Sequence, residues 1–272
     1  MLSGLACKLA LICAFPVSLL GQSTADVIQT RLIGKPLYLR GLWKEDKLHF
    51  DSAGKLQGSS KTLSFTLCGI EVTKVDLQPK RLLLEGRRVG LVFDKSVPQR
   101  IVLLADSRDS HDEQMQIEID APSGGDYNSA LDAIFSEDLA DFVPSLPAEW
   151  QNYATKHLLH DSPPPTAANE QPPSPPGVFH VGGGVAPPRP LKQVAPKGNE
   201  YARAAKIKGM STIFVVIDQK GRPTQLSIVR PLGAGLDEEA LAAIQQYVFE
   251  PAVMGGKPVP VGIDIEVGFT AF

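Results

Sequence analysis

The chain has 272 residues, a net charge of −3, 43% hydrophobic residues and 21% charged residues. That length can bury one large core or two small ones, the apolar fraction excludes a disordered chain, and near-neutral charge argues against a nucleic-acid binder, which shows a basic excess or stripe. Proline is the outlier: there are 23, and eleven fall between Pro163 and Pro196.

The amino terminus reads as an export signal. Lys8 is followed by Leu9–Leu20, twelve apolar or small residues, and then by Gly21 to Ala25, where Ser23-Thr24-Ala25 fits a signal-peptidase site. Twelve helical residues reach about 18 Å, short of a hydrocarbon core of roughly 30 Å, and Pro16 weakens the helix further. Residues 1–25 are therefore expected to be a signal peptide. The alternative is an uncleaved anchor over Leu2–Leu20, which would bury Lys8. In both cases the rest of the chain is exported. Cys7 and Cys13 lie in this segment, so Cys68 is the lone cysteine beyond it. No family signature surrounds Cys68, and a packed structural thiol is expected.

Residues 26–160 read as β-rich, then helical. Expected strands are Pro36–Trp43, Lys47–Phe50, Thr62–Cys68, Val72–Leu77, Arg81–Leu84, Arg88–Phe93, Gln99–Ala105 and Gln114–Asp120. Turns are expected at Asp51-Ser52-Ala53-Gly54, Gln78-Pro79-Lys80, Glu85-Gly86 and Ala121 to Gly125. Short strands so spaced suggest a sandwich or barrel-like domain, with helices over Asp126–Phe142 and Ala148–Leu159. Asp161–Gly177 holds seven prolines in 17 residues and no large apolar side chain. It reads as an extended polyproline linker with a reach of roughly 50 Å.

Residues 178–272 read as a small α+β domain. A short helix is expected over Tyr201–Lys208. Strands Met210–Asp218 and Gln225–Arg230 join across Gln219-Lys220-Gly221-Arg222, a hairpin signal. In Leu236–Phe249 the side chains of Leu236, Ala240, Ile244 and Val248 recur at steps of four, a helix face, with Asp237, Glu238 and Glu239 in the first turn where carboxylates complement the helix dipole. Lys257–Phe269 closes the domain as a strand in which Val261, Ile263, Ile265 and Val267 alternate with Gly262, Asp264, Glu266 and Gly268. The order helix, strand, strand, helix, strand gives an antiparallel sheet and makes the whole chain α+β.

These residues resemble the TonB carboxy-terminal domain, found in energy transducers of two-membrane bacteria. The likeness runs from the lead-in Val181-Gly182-Gly183-Gly184-Val185-Ala186-Pro187-Pro188 through Tyr201 with Ala204 and Ala205, and Gly209. It continues in Asp218 and Gly221, in the run from Gly233 to Ala240, in Tyr247-Val248-Phe249-Glu250-Pro251-Ala252, and in Gly256-Lys257-Pro258-Val259 with the final strand to Phe269. Two positions depart from the family pattern: Ala202 stands where proline is usual after the tyrosine, and Tyr247 where tryptophan is usual.

The resemblance implies a periplasmic binding domain, not an enzyme. It implies docking on TonB-dependent outer-membrane receptors, whose amino-terminal segment adds as a strand, with an ExbB–ExbD-type inner-membrane motor as a further partner. Partner-binding residues are then expected at Tyr201 and along Gly262, Ile263, Asp264, Ile265, Glu266, Val267, Gly268 and Phe269, if this strand is a sheet edge. If it is central, Gly262 and Gly268 only relieve packing. A homodimer through the same sheet is a further expectation. Energy transduction is less directly implied than docking, because Leu2–Leu20 is short and lacks the histidine the family uses on its membrane helix.

Other chemistry finds little support. His157 and His160 sit three apart on an expected helix but have no third ligand nearby in sequence. Asp106, Asp109, Asp112 and Glu113 read as a solvated acidic loop without calcium-loop spacing. Gly182–Gly184 lacks a following Lys-Ser/Thr, and no nucleophile-elbow or zinc-protease motif occurs. No cofactor or metal is expected. The alternative to a docking protein is an envelope scaffold or adaptor whose β-rich half binds a separate ligand.

Overall fold

The computed structural model describes residues 24–104, 113–160, 172 and 174–270. The export segment up to Ser23, the residues Asp106, Asp109 and Asp112, and most of the proline-rich stretch lie outside these residues.

The first half begins with helix α1 (Thr24–Leu32), which buries Ile28 and Leu32. Strands β1 (Leu37–Leu39), β2 (Lys47–Phe50), β3 (Gly69–Gln78), β4 (Arg81–Asp94), β5 (Val97–Val102) and β6 (Gln114–Asp120) follow, then α2 (Asn128–Ile134), β7 (Phe135–Ser136) and α3 (Ala148–His157). The strands form one seven-stranded sheet in the order β2-β6-β4-β3-β1-β7, with β5 also on β4. Strand β4 is its hub. Arg81 to Arg87 pair with β6, Val89 to Asp94 pair with β5, and β3 lies along the other side.

Three sequence expectations fail here for local reasons. Glu85-Gly86 is not a turn but lies inside the continuous strand β4. A Cβ on Gly86 would stand 2.5 Å from the Glu71 carbonyl oxygen. The glycine therefore permits close approach of two strands where β3 shifts register between Val72 and Lys74. Thr62–Cys68 is not a strand either. The Ser64 hydroxyl accepts a hydrogen bond from the Thr66 N–H at 3.1 Å and caps a short 3-10 helix, Phe65–Leu67. Likewise the expected helix over Asp126–Phe142 breaks after Ile134, and Asp138 accepts from the Ala140 N–H at 2.8 Å to start a separate 3-10 segment, Leu139–Ser145.

Cys68 is 1% exposed, and burial pushes its thiol up to about 12. It is the packed thiol expected from the sequence. Alkylation by iodoacetamide at pH 8 should be negligible in the native protein and complete in urea, read by mass spectrometry. Rapid native labelling would show that the site opens.

The second half opens with β8 (Phe179–His180), β9 (Val185–Ala186), β10 (Arg189–Lys192) and helix α4 (Glu200–Ala204). It continues through β11 (Gly209–Ile217), β12 (Pro223–Arg230), α5 (Leu236–Ile244), β13 (Val248–Glu250), β14 (Ala252–Met254), β15 (Lys257–Val259) and β16 (Val261–Phe269). The main sheet has the order β12-β11-β16-β8. The β11–β12 turn is held by the Asp218 carboxylate, which accepts from the N–H of Lys220 and of Arg222 at 2.9 and 2.8 Å. Gly221 there has φ +75°, and a Cβ would stand 1.7 Å from the Phe249 carbonyl oxygen, so only glycine fits. Helix α5 is shorter than the periodicity suggests. Val248 to Glu250 leave it to pair with β10, so tertiary pairing overrides the four-residue repeat.

Helix α5 packs on β11 and β12 with Leu236, Ala240 and Ile244 fully buried. The core formed there does not stop at the proline-rich stretch. Phe65, Leu91, Phe93, Trp150 and Tyr153 of the first half belong to the same apolar cluster as Leu232, Leu236, Leu241 and Ile244 of the second. The first half thus places these four aromatic rings, and the second half these aliphatic side chains, in one shared core.

Candidate partner-docking edge

Strand β16 pairs antiparallel with β11 over its full length, from Val261 opposite Ile217 to Phe269 opposite Gly209, without a register shift. On its other side β8 pairs in parallel at Val261 and Gly262 only. Beyond Gly262, no strand among the described residues lies on that side. β16 is thus an edge strand with its first two positions covered.

The alternation of a strand fixes which backbone groups face outward. The Pro260 carbonyl accepts from the Phe179 N–H at 3.0 Å, so even-numbered positions turn their N–H and C=O groups toward the β8 side. Glu266 and Gly268 therefore present theirs to the uncovered edge. The side chains of Val267 and Phe269 are buried on the helix face, Ile263 and Ile265 are half-buried, and Asp264, Glu266 and Gly268 are exposed on the opposite face. Arg230 reaches across β11 to Glu266 at 3.0 Å, an exposed pair worth little by itself.

The two glycines have different roles. A Cβ on Gly262 would meet the Phe214 ring at 2.7 Å, with Val178 also against it, so this glycine makes room for packing. A Cβ on Gly268 would meet nothing within 4 Å, so this glycine is not required by packing. At the opposite edge of the sheet, helix α3 of the first half packs on β12.

Tyr201 does not face this edge. It is buried, and its hydroxyl donates to Glu113 Oε1 at 3.1 Å in the first half. Glu113 itself is not part of a solvated acidic loop as its neighbours in sequence suggest. It is 7% exposed and pairs with the fully buried Arg88 at 2.9 Å. An unpaired guanidinium in a core is so costly that it recruits the nearest carboxylate, and Arg88 sits where β4 meets the start of β6. The histidines are also apart in role: the His157 ring lies 4.8 Å from Tyr153, and His160 is 2.7 Å from Asp138.

A second set of contacts across the halves involves residues that the sequence marked only for the TonB likeness and for the first turn of a helix. Gly233 forms an antiparallel bridge to Val92, the Ala234 N–H donates to the Leu91 carbonyl at 2.7 Å, and the Gly235 N–H donates to the Thr66 hydroxyl at 2.8 Å. Gly233 has φ +92°, and a Cβ there would stand 2.2 Å from the Leu91 carbonyl oxygen. Asp237 fixes this loop from inside. Its carboxylate accepts from the N–H of Leu232 and Gly233 and from the Ser211 hydroxyl, at 2.9, 2.7 and 2.6 Å. Next to it, Glu238 Oε1 accepts from the Trp150 indole at 3.0 Å.

Residues 199–271 match the family model described as Gram-negative bacterial TonB protein C-terminal. The chain carries a TonB carboxy-terminal domain. It is similar to the solution NMR structure of the Pseudomonas aeruginosa TonB C-terminal domain at 23% identity, over 33% of this chain and 90% of that one, with a TM-score of 0.26. No curated protein matches the chain. The TonB family is associated with transport at the cell envelope. No helix among the described residues is long and apolar enough to cross a membrane.

Burial of carboxylates at the contact between the first half and the TonB domain has a pH consequence. Glu113 and Glu238 are each raised to about 7, mainly by desolvation; Arg88 opposes this for Glu113, and the neighbouring Asp237 adds to it for Glu238. A raised folded value means stability that is fully present below the unfolded value near 4.5 and is lost as pH rises through about 7. The urea midpoint should therefore fall between pH 5 and pH 8, and Glu238→Gln, which keeps an acceptor for Trp150, should flatten that fall. An unchanged slope in the variant would remove Glu238 from the account.

Proposed function

We propose that this chain is an envelope protein whose TonB domain docks on outer-membrane receptors by accepting an extended receptor segment along β16. The observation that carries this is the uncovered edge beyond Gly262, with the N–H and C=O groups of Glu266 and Gly268 turned outward. Main-chain pairing supplies affinity and register in strand addition, and the half-buried Ile263 and Ile265 offer an apolar face to the added strand. This proposal includes an exported location, which rests on the export signal read in the amino-terminal sequence, and an ExbB–ExbD-type motor is the partner that energy coupling would require.

The test is titration of the full chain with peptides from the amino-terminal segments of outer-membrane receptors, followed by NMR or anisotropy. Glu266→Pro removes one outward N–H while leaving the β11 ladder its bonds, so it should abolish peptide binding, a loss of at least about tenfold, with Glu266→Gln binding normally. Equal binding by both variants, or no binding at high micromolar peptide, would exclude this edge. A second copy of the chain is the competing occupant, and light scattering that finds a dimer dissociated by Glu266→Pro would assign the edge to it.

A second reading, an adaptor without energy transduction, is favoured by the shared core. Because the first half packs directly on the TonB domain, the proline-rich stretch does not hold that domain away from it. Mass spectrometry of the mature protein separates the readings: a start near Asp26 excludes membrane-coupled transduction, and a retained Leu2–Leu20 excludes a freely diffusing adaptor.

A further inference from the structure

The lane along β16 that receptor docking would use is already taken at its head. Phe179 and His180 of β8 pair in parallel with Val261 and Gly262, and the Phe179 N–H donates to the Pro260 carbonyl at 3.0 Å. An edge strand offers one row of outward N–H and C=O groups, and each group pairs with one neighbour. At these positions β8 and any added strand are therefore rivals.

Little holds β8 in place. It is two residues long, and so short a pairing is marginal by itself. Turns bound it at both ends. Before it, the Val178 N–H donates to the Pro175 carbonyl at 3.1 Å, with Pro176 and Gly177 (φ +79°) at the centre, a type II pattern. After it, Gly182 and Val185 exchange both backbone bonds, at 3.1 and 3.0 Å, around Gly183 and Gly184 with φ +59° and +93°. Two positive φ angles in a row make a tight reverse turn, which takes the chain off β16 after His180. The side chains anchor β8 from one face. Val178 is half-buried against Phe214 beside Gly262, whereas Phe179 and Val181 are 36% and 47% exposed. A segment with so few bonds and one packed side chain belongs to the part of a fold that opens most readily.

We propose that β8 is a built-in competitor at this edge, capping the head of β16 in the free chain and leaving it when a receptor segment pairs along the strand, a role that rests on the reading of β16 as the docking edge. Pairing from Val261 onward gives the incoming segment the outward groups of Gly262 in addition to those of Glu266 and Gly268. Those bonds replace the ones that β8 gives up, so displacement costs mainly the packing of Val178. The apparent receptor affinity is the intrinsic one multiplied by the fraction of chains in which β8 is detached. While seated, β8 also leaves less open backbone for a second copy of the chain.

The test uses the full chain, a receptor amino-terminal peptide and two readouts. Phe179→Pro removes the N–H that pairs with Pro260, and Val178→Ser removes the packing on Phe214 while keeping the backbone bonds. Each should tighten peptide binding at least about threefold, because the detached fraction rises. Hydrogen exchange by NMR reads the displacement itself. When the wild-type chain is saturated with peptide, the Phe179 amide should lose protection while those of Glu266 and Gly268 gain it. Protection kept at Phe179 while Glu266 gains it, or affinity equal to wild type in both variants, overturns β8 as a competitor and leaves docking standing. A peptide that neither binds nor protects Glu266 in any variant removes the docking edge, and the role of β8 with it. Should a variant misfold, exchange in the wild-type chain decides alone.

Discussion

Replacing Arg88 by leucine is expected to cost about 3–5 kcal/mol, because it strands the Glu113 carboxylate inside the protein. Arg88 is fully buried. Its Nε lies 2.9 Å from Glu113, and its terminal nitrogens donate to the carbonyls of Trp43, Lys44 and Glu45 at 3.2, 2.8 and 3.2 Å. The one side chain thus holds the Trp43-to-Glu45 segment, the start of β6 and, through Glu113, Tyr201 of the TonB domain. The measurement is urea unfolding by circular dichroism. Two further outcomes give the prediction its specificity. Arg88→Leu should lose less at pH 5 than at pH 8, because Glu113 without its cation protonates more readily. Combining it with Glu113→Leu should recover part of the loss, since no unpaired charge remains. A single variant within about 1 kcal/mol of wild type would mean that the pair contributes nothing net, as surface pairs do.

Trp150→Ala is expected to cost a comparable 3–5 kcal/mol and to loosen the two halves in particular. The Trp150 ring is 1% exposed and lies 5.5 Å from Phe65, 6.2 Å from Phe93 and 5.9 Å from Tyr153, with its indole N–H on Glu238. Truncation opens a cavity at the junction and strands the Glu238 carboxylate. Hydrogen exchange should show the amides of Ala234 and Gly235 losing protection, because their acceptors, the Leu91 carbonyl and the Thr66 hydroxyl, lie in the other half. Amides of β3 and β4 distant from the junction should keep theirs. Uniform loss of protection throughout would show one cooperative unit with no separable contact.

Much of the fold is legible in the chain itself. Gln114–Asp120 and Lys47–Phe50 alternate cleanly and appear as strands with those bounds. The hairpin about Gly221, the helix starting at Leu236 and the alternation in β16 follow from local rules, and they carry the likeness to the TonB domain. The errors also have local causes. Glu85-Gly86 has the composition of a turn, yet a glycine can equally mark two backbones in close contact. Leu236–Phe249 continues a helical period, yet β10 captures its last residues as a strand.

The sequence by itself determined most of the element types, the α+β class, the export segment as an expectation and the TonB character of the last third, because each depends on residues near one another in the chain. Only the tertiary structure decided that β16 is an edge covered at Val261 and Gly262, that α3 packs on β12 at the other edge, and that Glu113 is a buried partner of Arg88 and Tyr201. Those facts depend on which groups become neighbours when water is expelled from the junction. An arginine or glutamate in a polar stretch carries no mark of the partner, 25 or 88 positions away, that makes its burial possible.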